Sequence, residues 1–482
     1  MADSSSQTPR ENRSTTPISE AFREFIQSGW SEPPPEDIHP VEHAGVVAAR
    51  RSRLSAEFPE STLIIPAGAA KRRSNDTDYP FRPHTAFAYL TGWGHSATPG
   101  SILRGTPQGE GHQWQLFVLP PAPRTSDEFY ANPAIGEFWT GRRPDLDAVG
   151  TWLGLETLDL ADWSLRDQEL GNHALLADAD EALTRELRDR RGTEDSHQDD
   201  RLAQVISEMR LVKDAYEISE LIAAIESTHR GFEDIIRSLP EARSHPRGER
   251  IVEGAFHQRA RLEGNDVGYG TIAASGSHAC ILHWVTNDGP VSPGDLLLVD
   301  AGVERDSLYT ADITRTLPVS GRFSDQQRQV YDAVLEAADA AFQVVKPGAI
   351  FQDIHRAAMA VIARHVSQWG FLPVDLEDAL QPEGQHHRRY MIHGTSHHLS
   401  LDVHDCAQAR REAYMEGVLE PGMVFTIEPG LYFQPDDESV PAPWRGIGVR
   451  IEDNILVTET GALNLSHAIP RTADDVEAWL QG

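Results

Sequence analysis

Residues 393–405 read HGTSHHLSLDVHD, in which four histidines, His393, His397, His398 and His404, stand beside two aspartates, Asp402 and Asp405. Imidazoles ligate metals and move protons near neutral pH, but the same run would also suit a solvated strand. Four acidic residues elsewhere bear on the choice. Asp300 ends LLLVD, Asp312 sits inside YTADITRT, Glu428 follows VFTI, and Glu452 lies inside VRIEDNILV. Each alone has an ordinary reading, as a turn residue or on a solvated face. Together they interrupt strand-like apolar runs, and a buried carboxylate is costly unless it is neutralised, paired or placed on a metal. Eleven residues, 301–311, separate Asp300 from Asp312, enough for a hairpin that returns the second carboxylate beside the first. With one histidine from 393–405 the set becomes four carboxylates and an imidazole. Such oxygen-rich ligation favours hard divalent ions, Mn²⁺ first, with Fe²⁺, Co²⁺ and Zn²⁺ as alternatives, over a thiolate zinc site.

These residues need elements to hold them. The 482 residues exceed one ordinary core and predict more than one domain. Residues 1–38, rich in Ser, Thr, Pro and charge, read as a disordered or mobile arm. Residues 39–204 read as an α/β domain, with a helix over GVVAARRSRLSAEF and buried strands in STLIIPAG and WQLFVLP. The charged stretch RELRDRRGTEDSHQDD marks a linker or exposed helix end. From 205 to 482 a second domain opens on a helix whose predicted apolar face holds Ile218, Leu221, Ile222 and Ile225. Its strand-like runs come in pairs between long helices, which predicts α+β architecture with an antiparallel sheet covered by helices.

Composition narrows the function classes. The 43 basic and 74 acidic side chains leave a formal charge of -31, which argues against nucleic acid and anionic membrane as partners. Two cysteines, Cys280 and Cys406, cannot make a disulfide framework and fit a reducing compartment. The first residues contain no apolar signal core, and no later run approaches the roughly 18 to 20 apolar residues of a membrane span. The expectation is a soluble, cytoplasmic protein.

The blocks LLLVDAG, YTADITRT, HGTSHHLSLDVHD, TIEPGLYF and GIGVRIEDNILVT, in this order, resemble those of the pita-bread metallopeptidases, most closely the aminopeptidase P (Xaa-Pro aminopeptidase) branch. FRPHTAFAYLTGW and EFWTGRRP resemble the same branch more weakly, implying a smaller creatinase-like α/β domain ahead of the pita-bread domain. The resemblance implies that Asp300 and Asp312 bind one metal, that Asp312, His397 and Glu428 bind a second, and that Glu452 bridges them. It matches His393, His404 and His283 to positions that touch substrate or move protons, and leaves His398 structural. Arg450, two residues before Glu452, would share its strand face and either orient that carboxylate or form a plain salt bridge. Departures are His398 where an aromatic is common, Ser400 and Ala301 for glycine, and one extra residue between Asp300 and Asp312.

What the resemblance implies is a dinuclear aminopeptidase that releases the residue before a proline at the second position, by attack of a metal-bridging hydroxide, with Glu428 as ligand and proton carrier. It also implies a homo-oligomer, dimer or tetramer. A prolidase confined to Xaa-Pro dipeptides is the near alternative, and a non-catalytic pita-bread binding protein the distant one.

Overall fold

The amino-terminal strands have the apolar composition of a buried sheet, and in the computed structural model they form one. The structure describes residues 18–31, 38–75, 77–133, 135–165, 172–192 and 196–481. The STLIIPAG run becomes β1 (Thr62–Pro66), buried at all five positions. It sits between β2 (Ile102–Gln108), antiparallel to it, and β5 (His173–Leu175), parallel to it. β3 (Gly111–Val118) returns antiparallel on β2, and β4 (Glu156–Asp159) adds in parallel. Helices cover this mixed sheet, among them α2 (Ala44–Glu57) and the wholly buried α3 (Thr85–Thr91).

Of the expected arm, residues 1–17 and 32–37 lie outside the described residues. Between them, α1 (Glu20–Ile26) is capped by Ser19 and docks on the domain. Arg23 pairs with Asp127 at 3.0 Å, and the Phe22 and Tyr130 rings meet edge to face. Position 204 falls within one helix, α5 (His197–Met209), which follows α4 (Glu181–Arg191) and packs Leu202, Ile206 and Met209 into the amino-terminal core.

α6 (Ala215–Ser244) opens on a capping box between Asp214 and Glu217. Its buried face differs from the predicted one. Leu221 and Ile225 point inward, but Ile222 is 38% exposed. The buried stripe runs instead through Glu217, Leu221, Ala224, Ile225, Thr228 and Phe232. The cap accounts for this, because it turns Glu217 inward, where its carboxylate lies 3.5 Å from Arg50 and accepts from the Tyr309 hydroxyl at 3.1 Å. Apolar spacing alone does not register a buried, ion-paired glutamate as part of the face.

The second domain has the expected antiparallel character. β6 (Ile272–Ser275), β7 (Leu296–Ala301) and β8 (Ile313–Pro318) form one sheet with β7 central. β9 (Val424–Ile427), β12 (Asp453–Val457) and β13 (Ala462–Asn464) form another, and β10 (Gly430–Tyr432) pairs with β11 (Gly448–Arg450). The sheets meet edge to edge, where Glu452 N–H donates to the Thr314 carbonyl at 3.1 Å and the Thr316 hydroxyl to the Arg450 carbonyl at 2.9 Å. α6 packs on α7 (Gly248–Glu263), and α8 (Asp325–Gln343) on α9 (Phe351–Gln368). Among the described residues no helix is long and apolar enough to cross a membrane.

The β7–β8 hairpin ends in an insertion into the other domain. Leu308 and Tyr309 at its tip are buried in the amino-terminal core, beside Leu399 and Leu401. Leu308 holds φ +76°, a left-handed conformation unfavourable for a bulky side chain, and the packing around it sustains that strain. Leu308→Ala is therefore expected to destabilise the protein by about 2 to 5 kcal/mol, read as a lower urea midpoint. An unchanged midpoint would mean that the tip does not contribute to the shared core.

Candidate metal centre

The hairpin delivers the first two carboxylates. In the β7–β8 register Asp300 lies opposite Thr314 and Ala301 opposite Ile313, so Asp312 enters β8 beside Asp300. Asn454 fixes this entry by acting as a surrogate peptide, its amide donating to the Asp312 carbonyl at 2.6 Å and accepting from the Asp312 N–H at 3.2 Å. The 393–405 segment lies alongside β9, with Thr426 N–H donating to the His397 carbonyl and Glu428 N–H to the Thr395 carbonyl, both at 2.9 Å. That pairing brings His397 and Glu428 to the same place. Glu452 arrives where the chain passes from β11 to β12.

All five expected ligands line one cavity of about 560 Å³, together with His283, His393, His404 and Arg450. His397 Nε2 lies 3.3 Å from Asp312 Oδ2 and 3.3 Å from Glu428 Oε1. Asp312, His397 and Glu452 present donor atoms all within 4.8 Å of one another. Asp300 stands at the other end, where its Oδ2 accepts from Arg450 Nη2 at 2.5 Å.

This crowding has an electrostatic cost. Burial, followed by the charge of Asp312, pushes Glu428 up to about 7 against the opposing pull of His397. Burial and the neighbouring carboxylates push Glu452 well above its ordinary range, and burial also raises Asp312. Burial works against a charged His397, yet the hydrogen bond it donates to Asp312 and the charge of Glu428 carry it up to about 9. With no cation to neutralise them, Asp312, Glu428 and Glu452 hold their protons more strongly than ordinary carboxylates.

Two further features fit divalent cations. Glu452 Oε1 is buried without a hydrogen-bond partner, while its Oε2 accepts from the Thr314 hydroxyl at 2.7 Å. The Tyr269 hydroxyl lies 2.7 Å from Asp300 Oδ1 and 2.5 Å from Asp312 Oδ1, although it has one proton to give. A free carboxylate oxygen, two acids sharing one donor and an imidazole among carboxylates form an N/O donor set for hard or borderline divalent ions. His397 Nδ1 is 3.3 Å from the His398 carbonyl, a contact that points Nε2 at the acids.

The surrounding residues orient this set. Arg450 reaches Asp300 directly and Glu452 through Thr314, whose hydroxyl it contacts at 3.1 Å. Its Nη1 also donates to the Tyr432 hydroxyl at 3.1 Å, which lies 2.8 Å from His393 Nε2. His393 is driven down to about 3 by burial and then by Arg450, and His404 to about 4 by burial and then by His397. Both rings are therefore neutral at pH 7. His283 sits in an exposed loop clamped by the buried Glu249, which accepts from Ser275 N–H, His278 Nδ1, Trp284 Nε1 and Gly289 N–H at 2.7 to 2.9 Å. His398 instead stacks on Phe351, ring centroids 4.7 Å apart.

Sequence reading missed Tyr269, Thr314, Asn454 and Glu249. Thr314 was accessible in principle, since it follows Asp312 by two positions on a strand and shares its face. Tyr269, Asn454 and Glu249 act across folds of the chain that no local spacing reports.

The sequence profile of metallopeptidase family M24 matches residues 219–459, a span that holds every residue of the centre. The profile for the aminopeptidase P N-terminal domain matches residues 47–168. The chain belongs to metallopeptidase family M24, in the aminopeptidase P branch. Within that branch it is 48% identical over 465 residues to Xaa-Pro aminopeptidase 1 of Streptomyces coelicolor, covering 96% of this chain and 92% of the relative. It is 33% identical over 449 residues to the Xaa-Pro aminopeptidase of Escherichia coli, covering 89% of this chain and 96% of the relative. The solved structure of Pseudomonas aeruginosa aminopeptidase PepP superposes with a TM-score of 0.78 at 30% identity, covering 92% of this chain and 98% of that one.

For this M24 protein the pKa directions set the behaviour of the metal-free form. Glu428 has an unfolded value of 4.5 and a folded value of about 7. Below the unfolded value both states are protonated. Between the two values only the folded state keeps the proton, so stability falls as pH rises through that window. In chelated protein, Glu428→Gln is expected to raise Tm more at pH 7.5 than at pH 5, and added Mn²⁺ to stabilise the wild type but much less the variant. Equal shifts at both pH values would contradict the crowding.

Proposed function

We propose that this chain is an Xaa-Pro aminopeptidase that holds two divalent cations, Mn²⁺ foremost, and releases the first residue of peptides with proline second. The observation that carries the reading is the buried acidic cluster around His397, with Glu452 Oε1 left free, at the base of the cavity. The names of the relatives supply the reaction class. Asp300 and Asp312 would hold one cation, Asp312, His397 and Glu428 the other, with Glu452 between them. When bound, such a pair activates water and polarises a scissile carbonyl.

The chain's own groups do the rest. Glu428 stands where it can take a proton from the attacking water and return it, its Oε2 3.6 Å from His393 Nδ1. His404 and His283, facing the cavity, can offer N–H groups to the carbonyl oxygen as it gains charge. Tyr432 and His393, linked through their hydrogen bond, stand ready to relay a proton to the departing nitrogen. A proline nitrogen carries no N–H, so the cavity needs no acceptor for it. Ile272, Leu282, Val285 and Val403 offer apolar wall for the ring.

We further propose that the protein is a homo-oligomer. Phe25, Phe138 and Trp139 are 78%, 55% and 59% exposed in the amino-terminal part of the chain, apolar surface that a subunit contact would cover. Light scattering is expected to give a multiple of 53.4 kDa, and a monomeric mass would refute the assembly.

The catalytic test compares Ala-Pro-Ala, Ala-Pro and Ala-Ala-Ala after chelation and Mn²⁺ addition. Alanine is expected from Ala-Pro-Ala only with metal, and Asp312→Asn is expected to lower kcat by at least about a hundredfold. Cleavage confined to Ala-Pro would make the chain a dipeptidase, and no cleavage under any divalent ion would leave it a binding protein.

A further inference from the structure

The motif FRPHTAFAYLTGW lies outside the metallopeptidase domain, and the mechanism above gives it no work. Its one arginine reaches out of its own domain. Arg82 Nε donates to Glu304 Oε2 at 2.7 Å, Nη2 to the Leu401 carbonyl at 2.7 Å, and Nη1 lies 3.1 Å from Asp402 Oδ1. Thr85, from the same motif, places its hydroxyl 2.7 Å from the Asp402 carboxylate.

The acceptors belong to the two segments that bring the centre together. Glu304 is 4% exposed and lies on the hairpin arm between Asp300 and Asp312, where Asn265 also donates to it at 2.8 Å. Leu401 and Asp402 lie between His397 and His404. One guanidinium thus ties the hairpin that carries two carboxylates to the segment that carries the imidazoles, its three nitrogens reaching three separate acceptors in a spread that lysine cannot reproduce in full.

Contacts just past the other end of the motif act on the same hairpin. His95 N–H donates to the Asp306 carbonyl at 3.0 Å, and a Cβ on Gly94 would fall 2.1 Å from that oxygen, so only glycine permits this approach. Leu308 and Tyr309, just beyond both attachments in the chain, are buried in the amino-terminal core. Within the hairpin and the imidazole segment themselves, the Thr310 N–H donates to the Ser400 carbonyl at 3.1 Å.

We propose that Arg82 is a positioning residue for the metal centre, through which the amino-terminal domain sets the separation between the Asp300–Asp312 hairpin and the His397–His404 segment. This rests on the reading of the site as a two-cation aminopeptidase centre. Small errors in that separation would misplace the residues on the two segments that would hold the cations.

The test uses the full-length protein, with Mn²⁺ titrated calorimetrically into chelated samples and Ala-Pro-Ala hydrolysis measured at saturating Mn²⁺. Arg82→Met is expected to bind Mn²⁺ about tenfold more weakly. At saturating Mn²⁺ its kcat is expected to fall about 10- to 100-fold while KM stays within about threefold. Arg82→Lys, which keeps the charge but not every contact, should fall between the wild type and Arg82→Met on both measures. Arg410→Ala removes a separate exposed pair, with Glu208 at 2.7 Å, and should change neither quantity. Wild-type Mn²⁺ affinity and kcat in Arg82→Met would overturn the proposal. So would an Arg82→Lys variant as impaired as Arg82→Met, or an equal effect of Arg410→Ala, since either would signify general domain packing. Failure of the wild type to cleave Ala-Pro-Ala would sink the functional reading instead, while the Mn²⁺ affinities would still decide the role of Arg82.

Discussion

Repulsion among buried carboxylates is the constraint on which the rest of this structure depends. Asp300, Asp312, Glu428 and Glu452 converge on one cavity, where low polarity strengthens their mutual repulsion and removes the water that would soften it. A raised proton affinity at Asp312, Glu428 and Glu452 offsets part of it in the metal-free protein, and divalent cations would relieve it further, because each could neutralise two acids at once. The fold must therefore hold acids where they would not choose to stay. It does so with backbone: Asp312 is fixed by the Asn454 amide, Glu452 by its N–H to Thr314, and Glu428 by its N–H to Thr395.

A second layer turns these fixed acids into an oriented set. Arg450 alone serves Asp300, Thr314 and Tyr432, and through the last two it reaches Glu452 and His393. Replacing such a residue removes a positive charge from a carboxylate cluster and three hydrogen bonds from their acceptors, so its effects cannot be divided among its partners. The amino-terminal domain adds a third layer, because the hairpin between the two aspartates is anchored in that domain's core. The two domains are joined by this hairpin as well as by the helix between them.

Much of this was legible in the sequence because the chemistry lies on local elements. An acid inside VRIEDNILV or at the end of LLLVD contradicts the apolar run around it, and that contradiction is visible without a structure. The paired strands and long helices followed from periodicity. What stayed hidden depends on distant contacts. Ile222 was placed on the buried face of its helix because a capping glutamate, not an aliphatic residue, occupies the inward position at Glu217. Residues 20–26 were read as part of an arm because their composition gives no hint of the aromatic and ionic partners at Asp127 and Tyr130. Arg450 reads from the sequence either as orienting Glu452 or as a plain salt-bridge partner, and the sequence does not say that its shortest contact is with Asp300, on a strand 150 positions earlier. Tyr269 and Glu249 carry no acidic or imidazole signature in a suggestive context, and only folding reveals what they hold.

The central claim is that this acidic cluster exists to hold two cations, and counting them tests it most directly. Elemental analysis of full-length protein, chelated, reloaded with Mn²⁺ and freed of excess by gel filtration, should return about two ions per wild-type chain. The same measurement on Asp312→Asn, which alters the acid assigned to both cations, should return fewer than one. Two ions retained by that variant, or none by the wild type, would contradict the account.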